Sequence, residues 1–288
     1  MKAVFRHELD SYRTGVIAFV FGAFLLLFAG IYTMAYHIQY GITNFEYVVR
    51  NMAFVFMVIV PILTMRVLAE ERKQKTDTLL YSLPLTMTGV VLGKFLAMLC
   101  VFLVPLCLIC LYPLVLTAFG NIYLPAAYSA LFAFFLLGMA LLSVGTFISS
   151  LTESQGVAAG VSFIVILLNY FLSSLVGFLP DTAFPAFAVV LVAGGLLAAL
   201  VRYMTGSSVT AGLTAVVLCG GTVVWYLIDS AAFEGLLKTV VGQLSLFERF
   251  YGMVDGVFDL KTVVYFLTVT GLFLFFSVQS MEKRRWSE

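Results

Sequence analysis

The sequence predicts an all-α, polytopic transmembrane helix bundle of about eight spans, and three observations carry that prediction. First, 62% of the 288 residues are hydrophobic and 11% are charged, with a mean hydropathy of +1.08, whereas a soluble domain carries roughly 25% charge. Second, the apolar residues fall in runs of about 20, the length at which a helix rising about 1.5 Å per residue crosses a hydrocarbon core of about 30 Å. Third, the runs lack the strict alternation of outer-membrane barrel strands, so the crossing elements are helices.

Residues 1–14 come first. Val4, Phe5, Leu9 and Tyr12 share one helical face, with Arg6, Asp10 and Arg13 elsewhere, as in a helix that lies in the membrane interface. The run at 15–36 is longer than a signal-peptide core and ends without a small-x-small site, so it reads as a retained first span. Further spans follow at 52–69, 90–119, 124–150, 156–179, 184–201, 209–228 and 262–280. The sixth is short, opens with Pro185 and carries Gly194-Gly195; it and the seventh form either two spans or a re-entrant hairpin. Residues 229–260 make an external amphipathic segment, where Leu236, Leu237, Val240, Val241, Leu244 and Phe247 recur at helical spacing among Glu234, Lys238, Gln243 and Glu248.

Basic residues near span ends are retained in the cytoplasm. An internal N-terminus leaves Lys2, Arg6, Arg13, Arg66, Arg72, Lys73, Lys75, Lys94, Arg202, Lys283, Arg284 and Arg285 inside, and only Arg50, Lys238, Arg249 and Lys261 outside. Both termini are therefore expected in the cytoplasm, together with the loop at 70–89. From Arg66 to Lys94 that region holds eight charges in an otherwise oily chain. Thr76 or Asp77 can cap a short helix there, with Leu79, Leu80 and Leu83 on one side and Pro84 as its stop, and Thr86 can cap the next helix.

The chemistry is sparse. No ionisable residue falls at mid-depth, because Arg66 and Lys94 are near enough to span ends to snorkel into the interface; this weighs against an ion-coupled carrier. Cys100, Cys107, Cys110 and Cys219 all lie in apolar runs without a CxxC, and read as small buried hydrophobes. His7 and His37 are near membrane surfaces, and no hydrolase, metalloprotease or P-loop motif occurs. The balanced net charge of +1 gives no nucleic-acid footprint. Gly156 and Gly160 form a small-residue face for close helix packing, within one chain or at a dimer seam. Asn169 and Tyr170 lie mid-span, suited to a cargo path or to a helix–helix hydrogen bond.

Taken in order, these elements resemble an ABC-2 type transporter permease of the gliding-motility-type branch. The resemblance rests on the interfacial N-terminal helix, on Ala69-Glu70-Glu71-Arg72 closing the second span, on Thr78-Leu79-Leu80 before Pro84, and on Val91-Leu92-Gly93-Lys94-Phe95 opening the third. Leu246-Phe247-Glu248-Arg249-Phe250, Gly256 to Leu260, Val264-Tyr265-Phe266 and the basic tail Glu282 to Trp286 agree with it. Such permeases usually have six spans, so residues 184–228 read as an inserted helical pair. The resemblance implies a multi-pass subunit of the bacterial cytoplasmic membrane, not itself an enzyme. It implies an exporter with a partner ATPase subunit that binds ATP and Mg, with no cofactor on this chain, and a second permease copy or sister permease. Glu70, Glu71 and Arg72 would be polar contacts to the ATPase, with Thr78, Leu79, Leu80 and Leu83 as an apolar knob directed by Pro84. A secondary transporter and a non-transporting scaffold of an envelope or motility complex are the competing readings.

Overall fold

The computed structural model describes residues 1–74, 86–205, 208–256 and 258–285. Among them all regular structure is helical, and the chain divides into two units, Met1–Tyr170 with Leu246–Glu288, and Phe171–Ser245. Among the described residues six helices are long and apolar enough to cross a membrane, or up to seven if one bent pair counts as a span.

In the first unit α1 (Lys2–Thr14) turns at Gly15 into α2 (Val16–Gln39). Then come α3 (Glu46–Lys73), α4 (Met87–Leu116), α5 (Leu124–Leu151) and α6 (Gln155–Val176), whose residues up to Tyr170 belong here. After the second unit the chain returns through α10 (Leu246–Val254) and α11 (Leu260–Arg285). Thr86 caps α4 as its position predicts, its Oγ1 accepting from the Gly89 N–H at 3.3 Å.

The hub is α5, on which α3, α4, α10 and α11 all pack. Lipid tails are as apolar as leucine, so close packing rather than water exclusion holds such helices together. Phe56 and Phe134 stack at 4.4 Å between centroids, and Phe102 meets Phe56 edge-on at 5.6 Å. Glycines let the helices approach. A Cβ on Gly138 would fall 2.6 Å from Phe102 Cε1, and one on Gly145 would fall 2.4 Å from Thr64 Oγ1.

Helix α3 starts at Glu46, six residues before the predicted span start at 52, and the charge it takes in is matched by a partner distant in sequence. Arg50 forms an ion pair with Asp255 and lies over the Tyr251 ring, 4.9 Å from its centroid. An apolar window stops at that arginine; the packed helix does not.

In the second unit α7 (Ala183–Thr205) is followed by α8, three continuous helical pieces over 208–228, and by α9 (Leu236–Gln243). Gly194 brings α7 close to α8, where an added Cβ would sit 3.4 Å from Leu218 Cβ. Phe187 and Tyr226 meet at 4.4 Å, and Lys238 pairs with Asp181 at 2.7 Å. The predicted sixth and seventh segments thus pair as a helical hairpin. At the Asp229 cap the chain bends by 116° between Gly212–Ile228 and Ser230–Gln243. The single amphipathic helix expected around 236–248 is two helices, α9 and α10, in different units, broken at Leu244 and Ser245. Phe247 is fully buried in the first unit, while Val240 and Leu244 in the second are exposed.

Candidate functional site

The charged end of the first unit is assembled from α1, α3, α4 and α5. Helix α3 loosens into a turn at residues 65–68 and resumes as Ala69–Lys73. A resumed helix has donors to satisfy, and Ser149 of α5 supplies the acceptor. Its Oγ takes the N–H of Leu68 at 3.2 Å and of Ala69 at 3.1 Å. Glu70 and Glu71 occupy the first turn, where the helix dipole favours negative charge.

Glu71 Oε1 lies 2.7 Å from Lys94 Nζ, and Glu8 of α1 pairs with the same ammonium. Lys94 is only 3% exposed in its side chain. It does not snorkel to water as its position near a span end predicts, because α1 lies across it. Gly89 and Gly93 make that seat: a Cβ on Gly93 would come 3.2 Å from Val4 Cβ, and the nearest part of α1 to Gly89 is Met1. One buried cation between two carboxylates joins the N-terminal helix, the end of α3 and the start of α4. Alongside it, Arg66 grips Glu70 bidentately, Nε to Oε2 at 2.5 Å and a terminal nitrogen to Oε1 at 2.7 Å.

A cavity of about 470 Å³ opens beside these pairs, lined by His7, Glu8, Tyr12, Arg66, Glu70 and Lys94 among others. Burial, reinforced by Glu8, pushes the Tyr12 phenol well above the usual tyrosine range, so it stays neutral. The far end of α11 reaches the same end of the unit. Ser280 donates to the Ser150 carbonyl at 3.1 Å, and Arg284 reaches the Leu151 carbonyl at 3.2 Å. The end of α11 therefore packs against the end of α5 near Ser149.

The predicted site residues are distributed as follows. Glu70 and Glu71 are held in ion pairs within the chain, and Arg72 is buried. Thr78, Leu79, Leu80, Leu83 and Pro84 lie outside the described residues. Gly156 and Gly160 are exposed; nothing lies within 4 Å of a Cβ placed on Gly160, and only Ser154 Oγ, at 4.0 Å, near one on Gly156. Asn169 accepts the Leu246 N–H at 2.9 Å, so it starts α10, and Tyr170 meets Phe247 edge-on at 5.1 Å. Asn169 thus makes a hydrogen bond between helices, and Tyr170 a ring contact. The node around Lys94 was missed. Its signal is Gly89-Val-Val-Leu-Gly93, a small-residue face next to a lysine.

Ser149→Ala is expected to lower stability by about 1–3 kcal/mol, since it strips an acceptor from two buried N–H groups. Ser150→Ala is the control, because the Ser150 hydroxyl only back-bonds to Phe147 in its own helix. Thermal unfolding in detergent compares them; equal midpoints would remove Ser149 from the joint.

No curated protein sequence matches the chain. The family model of the ABC-2 family transporter protein matches residues 3–191, which spans α1 to the middle of α7 and contains every residue of the Lys94 node. That match covers more than half of the sequence, so the chain belongs to the ABC-2 transporter family, as a multi-pass membrane permease component of an ABC transporter.

Proposed function

We propose that this chain is the permease of an exporter of the gliding-motility-type branch, driven by a separate ATPase that docks at the end of the bundle where α1, α3 and α4 meet. The observation that carries this reading is the Lys94 node, which ties the N-terminal helix to the two helix ends flanking residues 75–85. A push on that segment by a closing ATPase is transmitted through Glu71 to Lys94, and from there to α1 and α4. Glu70 and Glu71 then act one step inward from the ATPase contact itself, which falls to Thr78, Leu79, Leu80, Leu83 and Pro84.

The twelve-to-four distribution of basic residues supports a cytoplasmic location for this end and both termini, in a bacterial inner membrane. The α7–α8 hairpin is the insertion relative to six family spans. The open Gly156 and Gly160 face of α6 is suited to a second permease, a copy or a sister chain.

Purification of this chain with a candidate ABC ATPase subunit, followed by reconstitution in vesicles, tests the proposal. Expected are ATP turnover that responds to the permease and a Lys75 reporter exposed to the cytoplasm. Uptake or efflux driven by an ion gradient without ATP would instead make it a secondary transporter. Stable envelope-protein binding with neither activity would make it a scaffold.

A further inference from the structure

On the outer face of the first unit, α1, α2 and α4 enclose an apolar groove of about 680 Å³. Its floor is made by small or compact residues, Gly22, Ala23 and Pro105, where α2 and α4 approach closely. Phe19, Val104 and Leu108 are exposed along its rim. Almost nothing polar lines it except at one end, where Tyr12 and Arg13 of α1 stand at the mouth.

The groove runs from Ala18 to Leu26 on α2 and from Cys100 to Leu108 on α4, about 12 Å of helix on each. Its charge is one-sided. The Arg13 side chain is 77% exposed, and the nearest carboxylate, Asp10 on the same helix, stands 4.0 Å away without closing a hydrogen bond. Glu8, the other acid of α1, is turned to Lys94.

We propose that this groove holds one acyl chain of an anionic phospholipid from the leaflet at the α1 end, with its phosphate on Arg13. A hydrocarbon chain fits a smooth apolar trough, and a guanidinium at headgroup depth matches a phosphate. The lipid wedges the N-terminal helix against α2 and α4. This assignment stands apart from the proposed transport function, since it concerns the lipid face and not the ATPase contact.

The test is tryptophan quenching by lipids brominated on their acyl chains, in full-length protein carrying W225F and W286F. Leu108→Trp reports from the end of the groove, and Leu267→Trp reports from the exposed face of α11. Brominated phosphatidylglycerol is expected to quench the Leu108→Trp reporter with about fivefold preference over brominated phosphatidylcholine, and the α11 reporter with none. Arg13→Gln is expected to remove the preference while leaving quenching by both lipids. Equal quenching by the two lipids at position 108, a preference that survives Arg13→Gln, or the same preference at position 267 would each overturn the site. As a check independent of the reporters, mass spectrometry of the native protein should find more phosphatidylglycerol retained than in Arg13→Gln; equal retention also counts against it.

Discussion

Glu71→Lys is expected to abolish coupled transport and to lower the stability of the permease by about 3–5 kcal/mol, the cost of leaving a buried charge without its partner. The reason is Lys94. Its ammonium is buried beneath α1, 2.7 Å from the Glu71 carboxylate, so the substitution sets two ammonium groups against each other and leaves Glu8 as the remaining acid of the node. Glu71→Gln removes the charge without adding repulsion and should cost less. Lys94→Met exposes the other half: two carboxylates then face each other around an apolar side chain. Because the residues are in direct contact, the double mutant Glu71→Gln with Lys94→Met should depart from additivity by about 0.5–3 kcal/mol. Stability alone does not establish a relay. The decisive comparison uses the milder Glu71→Gln protein, assembled with its ATPase and inserted in the membrane. Retained ATP hydrolysis with transport reduced tenfold or more supports transmission through Glu71; parallel wild-type rates of both would confine the node to a structural role.

How much of this was legible in the sequence depends on which interactions a one-dimensional pattern can carry. The first five spans and the last follow from apolar runs alone, because crossing a bilayer is a property of the local chain. The Thr86 cap is local too, and it forms. The start of α3 was misplaced because Arg50 is neutralised by Asp255, some two hundred positions away, and no window contains both. Lys94 raised the same difficulty in reverse. A lysine near a span end has a ready default in snorkelling, and only the seating of α1 on Gly89 and Gly93 shows that it is covered. The glycines make the sharpest contrast. Gly156-Val-Ala-Ala-Gly160 has the expected spacing yet faces open space, whereas Gly89 and Gly93, with the same spacing, seat a helix. Spacing puts small residues on one face; it does not say which helix arrives there.

Gly145→Val is expected to be the most damaging single change in the bundle core. Gly138 and Gly145 are seven residues apart, about two helical turns, so they lie on one face of α5. At Gly145 a new Cβ would meet Oγ1, Cγ2 and Cβ of Thr64 at 2.4, 2.7 and 2.8 Å. The last of these atoms is fixed to the α3 backbone, so no rotamer change of Thr64 removes the clash, and the two helices must separate. Separation has a further consequence four residues on, where Ser149 caps the resumed turn of α3: a displaced α5 loses that joint along with the packing. Overpacking costs about 1–3 kcal/mol, and losing the Ser149 acceptor adds about 1–3 kcal/mol, which together exceed either change alone. Gly145→Ala should be milder but still destabilising. Gly160→Val, with nothing near its Cβ, should leave the stability of the isolated permease within about 0.5 kcal/mol. Thr64→Ala supplies the rescue arm. It removes two of the three clashing atoms, and it should recover part, not all, of the folded yield of Gly145→Ala, because the Thr64 Cβ position stays occupied. Monodisperse yield and thermal midpoints in detergent read all four proteins. If Gly145→Val matched Gly160→Val, the close approach of α3 and α5 could not be what holds the end of the second span in place.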